Sequence, residues 1–255
     1  MTPRAPAPTG IISFRPIVGS VTSSPFADRA VDRDSAPQFV LPLVVRIERT
    51  DPPSHTDALE TAARAVLTLL SDRRTTAADG EWAERVHAWE DARIRKVVRR
   101  ARGGEWRRAQ ELDGITLTGK SAEVRVFVPV PLDGWPKELA KLQVSGTELD
   151  DPEPPGPVDP GVPVLWFNPE VEMSTGKSMA QAGHGAQLAW WALTPDQREE
   201  WRAAGFPLAV RTATPEQWAA LAASEDLPMV RDAGFTEVAP GSCTVIADHP
   251  ALRRS

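Results

Sequence analysis

The sequence has one cysteine, no tyrosine, four histidines and no long apolar run. A single thiol, Cys243, excludes an intramolecular disulfide and a thiolate metal cluster. His55, His87, His184 and His249 lie too far apart to form a local ligand motif, so no metal and no cofactor is expected. No segment approaches the roughly 18 apolar residues of a membrane span. The start shows no apolar stretch behind a basic cluster, as a secretory signal would. A cytoplasmic protein without a membrane partner is the expectation.

What is present fits an ordinary globular chain: 41% hydrophobic and 25% charged residues in 255, enough for one large domain or two smaller ones. The net charge of −6 offers nucleic acid little overall attraction, but it is unevenly spread. Residues 38–150 carry 18 basic and 18 acidic side chains, against 7 and 11 in residues 161–255. The excess cations cluster at Arg93, Arg95, Lys96, Arg99, Arg100, Arg102, Arg107 and Arg108. This run reads either as a solvated helix face paired with Glu81, Glu84, Glu90 and Asp91 or as a phosphate-binding patch.

Residues 1–37 mix Pro, Ser, Arg and Asp without apolar periodicity and read as a disordered tail. Phe39 to Ile47 reads as a buried strand, and Asp57 to Leu70 as an amphipathic helix with Ser54 or Thr56 as N-cap. A helical region is expected over roughly Glu81–Gln110, interrupted at Gly103-Gly104, and a strand over Ser121–Pro131. Six prolines between Asp150 and Pro163 mark a linker, which divides a first domain (38–149) from a second (164–255). In the second, Val164–Phe167 reads as a strand, Thr175–Leu193 as a helix and Pro207–Arg211 as a strand. A helix capped by Thr214 and two closing strands around Pro240-Gly241 follow. The alternation gives an α/β class. Trp190, Trp191, Trp201 and Trp218 are expected in the core.

Within Thr175–Leu193, Lys177, Gln181 and His184 recur at i, i+4 and i+7, which sets an ammonium, an amide and an imidazole along one helix face. Gly176, Gly183 and Gly185 would each weaken the helix by about 0.5–1 kcal/mol, so a close approach of neighbours is expected there. A second block, Asp232-Ala233-Gly234-Phe235-Thr236 followed by Ala239-Pro240-Gly241-Ser242-Cys243-Thr244-Val245, puts a carboxylate and hydroxyls beside a tight turn. Together, in this order, the two blocks resemble the type 2 (archaeal and eukaryotic type) peptidyl-tRNA hydrolase family over Val164 to Pro250.

The resemblance implies a small mixed four-stranded sheet flanked by helices, commonly dimeric, and metal-free hydrolysis of the ester between a peptide and the terminal ribose of tRNA. It implies Lys177, His184, Asp232 and Thr236 as catalytic residues, with Gln181, Gly241, Ser242 and Thr244 binding substrate. Chemically, Lys177 suits a developing oxyanion, His184 a general acid or base, Asp232 the orientation of that histidine or activation of water, and Thr236 the holding of water or ribose. A non-catalytic RNA- or protein-binding module on the same fold is the alternative. Where the family carries basic residues near the helix start, this chain has Asn168, Glu170, Glu172 and Thr175, and the arginine of its Asp-Ala-Gly-Arg-Thr motif is Phe235. Cations for RNA phosphates are therefore expected from the first half, from Arg95, Arg99 and Arg100.

Short matches support a degenerate repeat. Leu43–Glu48 aligns with Leu165–Glu170 at an offset of 122, and Ser121–Pro129 with Ser242–Pro250 at 121. Under the first offset Lys177, Gln181 and His184 fall on His55, Leu59 and Ala62, so the first copy would lack the site. The expected protein is a monomeric pseudo-dimer or a homodimer. Gly114-Ile115-Thr116-Leu117-Thr118-Gly119-Lys120-Ser121 satisfies the phosphate-loop pattern, but it leads into a strand rather than a helix, so nucleotide binding is not expected.

Overall fold

The computed structural model describes residues 37–234 and 236–253; the expected tail lies almost wholly, and Phe235 wholly, outside them. The first half runs β1 (Phe39–Arg46), α1 (His55–Ser71), α2 (Arg73–Thr76), α3 (Ala83–Asp91), β2 (Lys96–Ala101), α4 (Gly103–Gln110), β3 (Gly114–Thr118), β4 (Glu123–Phe127), β5 (Val130–Pro131) and α5 (Lys137–Ala140). The second half runs β6 (Val164–Phe167), α6 (Thr175–Ala192), α7 (Pro195–Ala203), β7 (Ala209–Thr212), α8 (Pro215–Ala222), β8 (Met229–Arg231) and β9 (Cys243–Asp248), closed by a 3₁₀ turn at Pro250–Leu252.

Two mixed sheets result, with orders β2-β1-β4-β3 and β7-β6-β9-β8, the short β5 adding to β1. Their directions also agree: β1 is parallel to β2 and antiparallel to β4, as β6 is to β7 and β9. Register agrees as well. Leu43 faces Val126 in the first sheet and Leu165 faces Ala247 in the second, the pairs that offsets of 122 and 121 bring into correspondence.

Residues 33–255 form one compact unit. One hydrophobic core draws on both sheets and on α1 and α6, which pack together: Leu43, Val66 and Val124 share it with Leu165, Met179, Ala182 and Val245. A smaller cluster of Val44, Trp106, Phe127 and Leu139 covers the other face of the first sheet. The glycines of α6 mark its close approaches. A Cβ at Gly183 would lie 3.0 Å from Val66 Cγ2 and 3.2 Å from Lys96 Cδ; at Gly185, 2.8 Å from Val245 Cγ1; at Gly176, 2.9 Å from Thr147 Oγ1.

Several expectations are corrected by tertiary pairing. The basic run is not a continuous helix: Lys96–Ala101 is strand β2, aligned along Leu41–Arg46, because an open edge of β1 and the β-branched Val97 and Val98 favour the ladder over helix propensity. Gly103-Gly104 opens α4 instead of interrupting a helix, Gly103 having a φ of +48°. Ser54 precedes α1 without a side-chain capping bond. Asp151, from the proline-rich segment, accepts from Thr56 N (2.9 Å) and Thr56 Oγ1 (2.6 Å). That segment is thus tied to the start of α1.

Of the four tryptophans, Trp201 is buried against Phe206 and His249, Trp190 and Trp218 are half-buried, and Trp191 is exposed. The phosphate-loop lookalike forms β3 and a turn whose amides are already engaged. Ser121 N (2.6 Å) and Ala122 N (2.8 Å) donate to the buried Asp57 carboxylate. These backbone bonds hold Asp57 below the usual carboxylate range, against the opposing effect of burial, which is the largest single influence.

Candidate active site

The site is assembled where the start of α6 meets the loop after β8. Ser174 caps α6 by accepting from Lys177 N at 3.3 Å, and the Glu237 carboxylate accepts from Ser174 N and Oγ, each at 2.8 Å. The helix start is therefore occupied by a protein carboxylate. Asp232 is set by backbone bonds to the β8–β9 hairpin: its N donates to Ser242 O (2.9 Å) and its O accepts from Gly241 N (2.7 Å). The turn beyond it needs glycine. Gly234 has a φ of +77°, a Cβ there would lie 2.7 Å from Pro240 Cα, and its N donates to Asp232 Oδ1 at 2.8 Å.

Lys177 Nζ lies 2.5 Å from Asp232 Oδ2 and donates to Thr236 Oγ1 at 3.1 Å. Gln181 Nε2 donates to the same Oδ2 at 2.6 Å, while Gln181 Oε1 accepts from the buried Thr244 hydroxyl at 2.8 Å. Thr244 thereby orients the amide so that its NH₂ meets the carboxylate. The Lys177 and Asp232 side chains are 12% and 9% exposed, so their pairing is largely withdrawn from water and stronger than a surface ion pair.

His184 stands further along the α6 stripe and does not bond Asp232. Its Nδ1 lies 3.1 Å from the Nζ of Lys96, a buried lysine of β2 in the first half. Lys96 also donates to Gln187 Oε1 (2.5 Å) and Ile94 O (3.4 Å), with the Trp89 ring centroid 4.9 Å away. Gln187 Nε2 is buried without a hydrogen-bond partner, an arrangement that costs about 1–3 kcal/mol. Burial, then Lys96 and Lys177, holds the His184 pKa well below its ordinary value.

The sign of the pH dependence follows. Above about pH 6.5 the ring is neutral in folded and unfolded chains alike; below it only the unfolded ring gains a proton. Stability is expected to fall as pH drops from there, by up to ~1.4 kcal/mol per pH unit for this group. Half-buried His249, also shifted down by burial, acts in the same direction. Denaturant midpoints between about pH 7.5 and 5.5 measure this dependence, and His184→Gln should flatten it.

These groups line a cleft of about 560 Å³ between the two sheets. Lys177, Gln181, His184, Asp232 and Thr236 form one wall; Val40, Ile94 and Leu132 of the first half form an apolar wall, with Arg93 and Arg95 beside it. Arg99 and Arg100 are placed elsewhere. Arg99 donates to Leu142 O (2.5 Å) and stacks on Trp135, and Arg100 donates to Ser145 O (3.0 Å) and to Gln143 Oε1. Gly241 and Ser242 shape the hairpin through backbone bonds, and the Ser242 hydroxyl donates to Ala239 O at 2.7 Å.

Sequence reasoning missed Lys96 as a site residue because it looked like one more cation in a run. Gln187 follows His184 by three residues on the helix, a spacing that could have drawn attention to it. The apolar wall carried no local signal.

An α/β half-molecule with a carboxylate, an ammonium, an amide and two hydroxyls gathered at a helix start is the class of protein this geometry defines. Residues 162–255 match the family model described as peptidyl-tRNA hydrolase PTH2. A protein named peptidyl-tRNA hydrolase from Staphylothermus marinus is 32% identical over 100 residues, a stretch covering 83% of that protein and 36% of this chain. The chain belongs to the peptidyl-tRNA hydrolase PTH2 family. Among the described residues no helix is long and apolar enough to cross a membrane.

Proposed function

We propose that the chain hydrolyses the ester joining a peptide to the terminal ribose of tRNA, with the second half carrying the chemistry. The observation that supports this most is the convergence of Lys177 and Gln181 on one oxygen of Asp232, with Thr236 on the same ammonium. Asp232 accepts a proton from water held near Thr236 as the water oxygen bonds to the ester carbonyl carbon, and Lys177 stabilises the oxyanion that forms. When this intermediate collapses the bond to the ribose oxygen breaks, and the proton held on Asp232 passes to that oxygen. Lys177 supplies the positive charge for which a hydrolase would otherwise use a metal ion. Gln181 and Thr244 hold the carboxylate in place. The acyl part of the substrate lies along Val40, Ile94 and Leu132.

In this reading the first half stands where a second copy would stand in a dimer. Its sheet repeats the order, directions and register of the second, while His55, Leu59 and Ala62 occupy the positions of the site stripe. It contributes the cleft's opposite wall, with Arg93, Arg95 and Lys96. Of Arg95, Arg99 and Arg100, Arg95 lines the cleft, where it would meet an RNA phosphate.

The test is release of N-acylated amino acid from charged tRNA by the full chain, together with tRNA binding as a function of salt. Wild type is expected to turn over. Arg95→Gln should weaken binding and lower the salt slope by about 0.7–0.9, the value of one phosphate contact, while Arg99→Gln and Arg100→Gln leave it unchanged. No turnover by wild type at saturating tRNA would remove the hydrolase reading. Equal slopes for all three variants would remove the role given to Arg95.

A further inference from the structure

Lys96 is a cation that the first half sends into the interior beside the site stripe, and its surroundings are built for it. Two of its neighbours, Gln187 Oε1 and Ile94 O, are oxygens that only accept hydrogen bonds. The third is His184 Nδ1. Burial pushes Lys96 well below the usual ammonium range, and Glu90 opposes that shift. As an ammonium it has three N–H groups, so with two directed to these oxygens the third meets Nδ1, which then presents its lone pair. The proton of the neutral ring consequently sits on Nε2. Gln187 supports Lys96 as the donor here: it keeps its oxygen on Nζ although this leaves its own Nε2 without a partner. With Nδ1 engaged and the ring forming part of the cleft wall, Nε2 is the nitrogen left to a ligand.

We propose that Lys96 is a positioning residue that holds His184 as the neutral Nε2–H tautomer, making it a hydrogen-bond donor, not a base, toward the ligand in the cleft. The first half thereby takes part in the chemistry of the second. What His184 donates to, an oxygen of the scissile ester or its ribose, rests on the hydrolase reading; its tautomer does not. The charged groups around the ring are Lys96 on β2, Lys177 on its own helix, and Arg93, Arg95, Arg231 and Asp232 in the cleft lining; Glu90 on α3 lies near Lys96. Burial favours the neutral ring, in agreement with the geometry.

The tautomer is read by ¹H–¹⁵N correlation of the histidine rings in the full chain, with His184 assigned by His184→Gln. At neutral pH, Nε2 should carry the proton and Nδ1 none, and the ring should stay neutral well below the pH at which an exposed histidine protonates. An Nδ1–H ring in wild type, or an imidazolium already forming near pH 6.5, would overturn the proposal. In Lys96→Met, which replaces a buried cation by an apolar chain of similar length, the chain should stay folded with Tm a few degrees below wild type, because Gln187 Oε1 and His184 Nδ1 lose their donor. His184 should then mix tautomers and titrate at higher pH; a folded variant with unchanged ring signals would overturn the proposal. In the hydrolysis assay the same variant should lower kcat roughly tenfold with KM within about twofold, the signature of a contact made in the transition state. An unchanged kcat would remove the donor role. Absence of turnover in wild type would count against the hydrolase reading alone, and the ring signals would still decide the tautomer.

Discussion

Asp232→Asn is expected to lower kcat for ester hydrolysis by a factor of about 10²–10⁴ while the chain stays folded. The substitution preserves shape but removes the charge and the basic oxygen. Oδ2 of Asp232 now accepts from both Lys177 and Gln181, and Oδ1 accepts from Gly234 N. An asparagine has one acceptor oxygen, so one of these sides must face its NH₂, leaving a donor of Lys177, Gln181 or Gly234 unmatched. The loss in stability should be about 1–3 kcal/mol, because the ammonium and amide face the cleft and can recruit water. The Asp232 backbone is held independently by Ser242 and Gly241, so the hairpin should remain in place. Steady-state kinetics with N-acylaminoacyl-tRNA and a thermal melt measure the two effects together. A variant with wild-type kcat would move the role of base away from Asp232.

Gly183→Val is expected to lower Tm by roughly 6–12 °C, corresponding to about 3 kcal/mol for a unit of this size. Gly183 lies where α6 crosses α1, and a Cβ there would already press on Val66 Cγ2 and Lys96 Cδ. Valine adds two methyl groups that α1 and β2 can accommodate only by separating. Gly183→Ala separates the causes. It adds the Cβ alone, requires its neighbours to yield by a few tenths of an ångström, and gains about 1 kcal/mol in helix propensity, so its net effect should be near zero. The valine variant should also disturb the Lys96 bond to His184 and lower kcat beyond what its stability loss explains. Wild-type Tm in Gly183→Val would mean that the two helices do not meet at this residue.

Much of the second half was legible because its signals are local. Thr214, Pro215 and Gln217 announced α8, and the structure closes a capping box on those residues. Lys177 and Gln181 fall on one face by helical spacing, and their convergence on Asp232 follows once the hairpin returns that residue to the helix start. The glycines of α6 were a sign of close neighbours, although nothing local said which. In the first half the same approach failed over Lys96–Ala101, where charged residues suggested a helix and pairing with β1 decided for a strand.

By itself the chain determined α1, α6, α8, most of its strands and the polar stripe of α6, since caps, turn residues and hydrophobic periodicity act over a few residues. It also carried the repeat offsets, because they are properties of the linear order. Tertiary structure alone decided that Lys96 turns inward to His184, that Arg99 and Arg100 are taken up by residues 140–145, and that Val40, Ile94 and Leu132 face the site. Each of these outcomes depends on which surfaces meet when α1 and α6 pack. A charged side chain and an apolar one carry the same sequence signal whether they end at the surface or at a seam, and burial against the other half is what separates them.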